Sequence, residues 1–442
     1  MATLGSAVGL GTIWRFPAEA QAGGGFAFLI VYILCVLVLG IPVMLSEFAV
    51  GRAGHSDAVG SFKKISPRSH WYLVGASGIF TSFLITIFYM VVAGWTLEYL
   101  FQSLTGNLFE GIAAADGTMA QSFSTKMNEY IAGDCAPFVY TVLIVILNGA
   151  ILLGGVKKGI ERMAGVAMPL LFVLLLIFMV VVLMQPGAYQ GVSYFLSPDF
   201  SKLTPGVLIS ALGQALFSLS LGMGILVTYA AYYPPSTNLT KTAGIVSSLT
   251  LLIAIMMGLI IFPAVTAFGI ADHQMAGTTL VFVTLPEVFA NLPYSQLWSI
   301  LFFTLLLLAA LTSTVSIAEP SIAFIRDRFK TTRTIATVSV IAPMVVLSGI
   351  CSLSFSSLSD FTIGGYNIFE GLDALTNNIF LPLVALSGCL FVGWFGPKNL
   401  LSNQLTNNHT LHNPQIITTL VKYALKYLAP AGIIAIFIAG LL

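Results

Sequence analysis

Two stretches, GSAVGLGTIWRFP from Gly5 to Pro17 and FSLSLGMGILVTY from Phe217 to Tyr229, decide how this chain folds. Each sets glycines and hydroxyl side chains inside a run otherwise apolar enough to be one helix. The rest of the chain says which solvent surrounds that helix. Of 442 residues, 57% are hydrophobic and 8% charged, whereas about a quarter of a soluble chain is charged. A soluble domain of this length needs charge to cover its surface, so cytosolic enzymes, nucleic-acid binders and disordered scaffolds are excluded. The net charge of +1 points the same way, and the chain reads as an all-α polytopic membrane protein. Glycine that merely lets helices pack closely explains either stretch alone. Two such stretches opening matching halves are instead the pattern of discontinuous helices in an inverted repeat, whose half-helix amino ends attract carboxylates and whose freed carbonyls attract cations. GLGTIW lacks the third glycine and the preceding strand of a dinucleotide loop.

Outward from these stretches, apolar runs long enough to span a bilayer, which takes roughly 20 residues, follow in series. They read as about Leu4 to Ala20, Gly25 to Val50, Trp71 to Leu104, Pro137 to Leu153, Met163 to Met184, Val207 to Tyr232, Ala243 to Ile270, Ser295 to Phe324, Ile335 to Cys351, Ala374 to Phe395 and Ile416 to Leu441. These eleven spans use up the chain as a single transmembrane domain, with a first repeat over about 1–184, a second over about 205–396 and a peripheral helix over about 416–441. Lys and Arg collect on the cytoplasmic side of a membrane protein. Alternate loops carry Arg52, Lys63, Lys64 and Arg68, then Lys157, Lys158 and Arg162, then Lys241, then Arg326, Arg328, Lys330 and Arg333, then Lys398, against only Lys126 and Lys202 in the others. That places the N-terminus in the cytoplasm and the C-terminus outside. The first run is short, and Met1 opens it with no charged lead, so the chain reads as starting inside a truncated first helix, as a misassigned start would leave it. Cys35, Cys135, Cys351 and Cys389 lack metal spacing. With no HExxH, no nucleophile beside a base and no paired catalytic carboxylates in the spans, an enzyme is not expected.

Seven motifs in order carry a resemblance: GSAVGLG-x-x-WRFP at Gly5, GGGFAFLIVY at Gly23, GIPVMLSEFAVGR at Gly40, YMVVAGWTL at Tyr89, GQALFSLSLGMG at Gly213, ALTSTVSIAEP at Ala310 and DALTNNIFLPL at Asp373. Together they resemble the neurotransmitter:sodium symporter family, and in particular its bacterial amino-acid transporters with eleven spans. The resemblance implies two inverted five-helix repeats with discontinuous first and sixth helices, plus a peripheral helix, working by alternating access in a bacterial inner membrane. It implies a sodium-coupled symporter of neutral, bulky hydrophobic or aromatic amino acids; an amino-acid sensor or an uncoupled channel on the same scaffold is the alternative.

The resemblance also assigns residues. Carbonyls of Gly5, Val8 and Ala309 with the hydroxyls of Thr312 and Ser313 match the family's second sodium site, an all-oxygen cage suited to a small hard cation. Its first sodium site matches less well: Ala7 and Ser218 are present, but Thr12 and Thr250 stand where amide oxygens are usual. One coupled Na⁺ is therefore expected, with two possible. Chloride use stays open, since Tyr32, Gln214 and Ser218 match the family's chloride pocket while Ala254 takes the position of its deciding residue. A substrate carboxylate would meet the amides of Leu10 and Gly11 and the phenol of Tyr89; its amine would meet Phe217 carbonyl and Ser220. Ile85, Phe217, Met223, Ser313 and Ile317 would line the side-chain pocket, all apolar or small. Ala7 stands where amine-transporting members keep an acid, so the ligand is expected to bring its own carboxylate. Arg15 and Asp373 match the outer gate and Asp327 the inner gate acid, whose arginine partner would lie upstream of Met1. Glu47 and Glu319 are expected to bond unwound backbone.

Overall fold

The structure, a computed structural model, describes residues 2–7, 9, 11–112, 119–269, 280–407 and 415–439. Among them, nine helices are long and apolar enough to cross a membrane: Phe26–Gly54, Tyr72–Thr105, Cys135–Leu153, Gly159–Leu183, Leu239–Ala267, Ser295–Phe329, Arg333–Phe355, Ile368–Phe395 and Gln415–Ile438. Two further spans are broken. The first runs as Ala2–Ala7 and then 11–22, and the sixth as Pro205–Ser218 and then Ile225–Ala230. Eleven spans with the first and sixth discontinuous are what the two glycine-bearing stretches predicted. No β-strand occurs among the described residues.

Burial divides the spans into two kinds. The third (Tyr72–Thr105) and the eighth (Ser295–Phe329) pack along each other, the eighth also packs against both broken spans, and most residues of both are buried. The fourth, fifth and ninth bury less than half of theirs and turn Leu143, Ile146, Val166, Val173 and Val346 outward. An apolar side chain exposed in such rows faces hydrocarbon, not water. The eleventh span buries least, and it lies against the tenth span and the Pro205–Ser218 half of the sixth.

Capping explains where the boundaries differ from the sequence reading. Asn238 accepts the Lys241 N–H at 2.9 Å, starting the seventh span at Leu239 instead of Ala243. A capping box between Asn367 and Glu370 starts the tenth at Ile368, six residues before Ala374. Loops that read as unstructured also fold. Asp57 accepts from Val59 N–H at 2.9 Å and Gly60 N–H at 3.2 Å, opening the short helix Ala58–Ile65. Further helices occupy Met119–Ala132, Ala188–Leu196 and Leu285–Ala290.

Candidate functional site

The two breaks face each other and are tied by hydrogen bonds between Ser6 and Ser220 and between Gln214 and Gly11. Backbone freed from a helix inside a membrane must find partners in the protein. In the sixth span Ser220, Gly222 and Gly224 all take positive φ, at 56°, 74° and 68°. The chain thereby leaves the helix at Ser218 and re-enters it at Ile225. A Cβ on Gly222 would lie 2.8 Å from the Leu381 carbonyl oxygen, so only glycine fits. Gly222 N–H donates to Glu47 Oε1 at 2.7 Å, while the N–H groups of Leu219, Ser220 and Leu221 reach back to Ala215, Phe217 and Leu216. Ser6 Oγ donates to Ser220 Oγ, and Ser220 Oγ donates to the Ser6 carbonyl, both at 2.9 Å. Gln214 Nε2 donates to the Gly11 carbonyl, also at 2.9 Å.

Between the breaks lies a narrow cavity. Its walls include the candidates Gly11, Tyr89, Phe217, Ser220, Met223, Ser313 and Ile317, together with Ala7, Thr12 and Ser218. Among the described residues no Asp, Glu, His, Lys or Arg lines it. Sequence reasoning missed two of its residues, Ser6 and Gly9. Gly9 is a glycine for reasons of space: its Cβ would fall 1.9 Å from Ser313 Oγ and 3.2 Å from Tyr89 Oη. Gly11 is pressed in the same way by the Phe217 ring. Ile85 is buried one turn from Tyr89 but is not part of the cavity wall. Leu10 and Val8 lie outside the described residues.

The oxygen groups proposed for cations fall into two sets. Thr312 Oγ1 donates to the Ala309 carbonyl at 3.0 Å, so these two oxygens sit side by side with lone pairs to spare. Gly5 packs on Thr312, and a Cβ there would be 3.6 Å from the Thr312 Cβ. Ser313 Oγ is buried without a hydrogen-bond partner among the described residues. A buried hydroxyl left unpaired costs roughly 1–3 kcal/mol, which a cation or a ligand oxygen would remove. These residues fit a small hard cation. In the other set, Ala7, Thr12 and Ser218 share the cavity, and Thr12 Oγ1 is likewise buried and unpartnered. Thr250 does not join them in the wall, for its hydroxyl donates to the Val246 carbonyl on its own helix at 2.9 Å. The three groups considered for chloride are engaged: Tyr32 Oη donates to Ser218 Oγ at 2.8 Å, Ser218 Oγ to the Gln214 carbonyl at 2.7 Å, and Gln214 Nε2 to Gly11.

Above Phe217, the Arg15 guanidinium lies 5.8 Å from the ring centroid. It stands 3.8 Å from Asp373 and 3.5 Å from Glu19, an acid that the sequence reading did not include. On the other side of the cavity, Asp327 takes two hydrogen bonds from its neighbour Arg326, at 2.9 and 3.0 Å, and one from Asp57 N–H at 3.1 Å. Among the described residues its ion-pair partner is Arg326, which the sequence reading did not include. Arg326 also donates to Tyr232 Oη at 2.7 Å. Burial raises the Asp57 carboxyl above its usual range, and nearby Asp327 adds to this, while hydrogen bonds from Gly60, Val59 and Ser56 oppose it. Glu47 bonds unwound backbone as expected. Glu319 does not: it makes a two-pronged pair with Arg333, both contacts at 2.6 Å, because the ninth span brings a guanidinium within reach.

The family model of the sodium:neurotransmitter symporter family matches residues 1–135 and 126–442. The chain belongs to this family. It is 36% identical over 440 residues to YhdH, an uncharacterized sodium-dependent transporter of Bacillus subtilis, covering 99% of this chain and 95% of the relative. An uncharacterized sodium-dependent transporter of Methanocaldococcus jannaschii, MJ1319, is 32% identical over 90% of this chain and 81% of its own length. The crystal structure of MhsT in complex with L-phenylalanine superposes with a TM-score of 0.91 at 39% identity, covering 99% of this chain and 97% of that one. This symporter-family member is therefore a multi-pass, sodium-dependent membrane transporter and not an enzyme. Its fold is two inverted five-helix repeats, discontinuous in the first and sixth helices, with the eleventh helix at the periphery.

Proposed function

We propose that the protein is a sodium-coupled symporter of neutral, bulky hydrophobic or aromatic amino acids. The observation that carries this is the cavity between the two breaks, whose described lining holds no Asp, Glu, His, Lys or Arg and combines polar groups with the apolar Met223 and Ile317. In this reading the substrate carboxylate lies at the amino end of helix 11–22, against Gly11, Tyr89 and the unpartnered Thr12 hydroxyl, with Leu10 completing the set. The amine meets Ser220 and the Phe217 carbonyl. Met223 is flexible and polarizable enough to adapt to an aromatic ring. The L-phenylalanine bound by MhsT supports a substrate of this size.

One Na⁺ is coupled, held by Gly5, Val8, Ala309, Thr312 and Ser313. Thr250 does not line the cavity, and the Thr12 hydroxyl is assigned to the substrate, so a second ion between Ala7 and Ser218 would have fewer side-chain oxygens than the first. Chloride is not needed, because Tyr32, Ser218 and Gln214 already donate to protein acceptors. Arg15 and Asp373 close the outer path over Phe217, and the Asp327 cluster closes the inner one. The repeats run over about 1–184 and 205–396, with 416–441 peripheral, in a bacterial inner membrane with the N-terminus cytoplasmic. Uptake of labelled phenylalanine into proteoliposomes tests the reading. An inward sodium gradient should drive accumulation, unchanged when gluconate replaces chloride. Each turnover should move one charge, worth about 2.3 kcal/mol per 100 mV. Equilibration without accumulation would indicate a channel, and saturable binding without uptake a sensor.

A further inference from the structure

Beyond Asp373 the chain contains no Asp or Glu, and its only basic Lys or Arg residues there are Lys398, Lys422 and Lys426. All three line one concave pocket of about 420 Å³, between the helix Leu400–Leu405 and the eleventh span, and share no lining residue with the substrate cavity. None of them is in an ion pair among the described residues, and no carboxylate shares the pocket. Like charges gathered in one hollow repel unless an anion joins them.

The pocket also presents neutral donors. Ser402, Thr418 and Thr419 line it, and Thr418 Oγ1 is shielded from solvent without a hydrogen-bond partner among the described residues. One of its lysines is held in place. Lys426 Nζ lies 4.2 Å from the Trp394 ring centroid, and Trp394 Nε1 donates to the Lys426 carbonyl at 2.8 Å. Lys422 precedes Lys426 by one helical turn and so projects from the same face of the span.

The surroundings identify the anion's source. Trp394, Tyr423 and Tyr427 are largely exposed beside the pocket, as aromatic side chains are at headgroup depth, and Phe395 and Leu428 next to them are 65% and 57% exposed, where acyl chains run. Basic pockets between spanning helices beside such a belt suit anionic headgroups. We propose that Lys398, Lys422 and Lys426 with Thr418 form a binding site for the phosphate headgroup of an anionic phospholipid, which fastens the eleventh span to the segment leaving the tenth.

The test uses the full-length transporter in mixed micelles, titrated with phosphatidylglycerol and followed by native mass spectrometry and thermal unfolding. Saturable binding is expected, with each lysine contributing about five-fold in affinity. Replacing all three with Gln should therefore weaken it at least about 50-fold, and replacing all three with Arg should retain it. Phosphatidylcholine should not bind at the site, and free inorganic phosphate should not displace the lipid. Wild-type affinity in the Gln variant would overturn the proposal, as would equal competition by inorganic phosphate, which would make the ligand a soluble anion. If the triple variant does not fold, the exposed Lys422→Glu carries the test: undiminished phosphatidylglycerol binding would overturn the proposal equally.

Discussion

The break in the sixth span and the break in the first are built from similar residues but are finished differently. In the sixth, the N–H groups from Leu219 to Gly222 all have protein acceptors, the last of them the Glu47 carboxylate. Around the first, two buried hydroxyls, Thr12 and Ser313, have none among the described residues. One break is braced by the protein, and the other is left for ligands to complete. Substitutions at the first should therefore reduce ligand affinity and spare the empty protein, whereas those at the sixth should destabilise the empty protein.

The largest effect is expected from Thr312→Ala with Ser313→Ala. Two ligand oxygens disappear from one cation cage, each worth about 1.5–3 kcal/mol to a charged group, so sodium-dependent phenylalanine binding should fall about 100-fold or more. Thermal unfolding without sodium should be unchanged; an unchanged sodium titration would sink the assignment. Next comes Gly222→Ala, which forces a Cβ at φ 74° against the Leu381 carbonyl. It should cost about 3 kcal/mol of stability with or without ligand, read as a lower unfolding temperature in detergent. Glu47→Leu leaves the Gly222 N–H buried and unpaired, which should cost about 2 kcal/mol; if the variant is as stable as the parent, the sixth break is not braced by this carboxylate. The smallest change is Thr12→Val, which removes an unpaired hydroxyl and keeps the shape. Substrate affinity should drop about five-fold, close to 1 kcal/mol, with the empty protein as stable as before or slightly more so. A loss of stability would mean that Thr12 is satisfied within the protein after all.

Much of this was legible in the sequence because membrane solvent constrains so strongly. The eleven spans follow from hydropathy, and the breaks from glycine and hydroxyl residues where lipid would not tolerate them without a use. What escaped was set by contacts between distant segments. Ser6 and Gly9 join the cavity only because the two breaks face each other, and nothing in the local pattern marks them out from Ala7. Glu319 was read as a backbone ligand because Arg333 counts, in sequence, as a loop residue; the turn at Lys330 brings it back beside Glu319. Glu19 shares Arg15 with Asp373 through plain i,i+4 spacing, a signal that was present and could have been used. Short helices such as Ala58–Ile65 depend on single caps, and hydropathy does not register those.

The hydroxyl ring between Ser6 and Ser220 has a mechanical consequence. Together with the hydrogen bond between Thr3 and Tyr233, just past the end of Ile225–Ala230, it fastens the half-helix Ala2–Ala7 to the sixth span. A rod pinned at both ends to the same neighbour cannot slide along it or swing away from it. The inner half of the first span and the unwound part of the sixth are thereby coupled, so that a displacement of either is passed directly to the other.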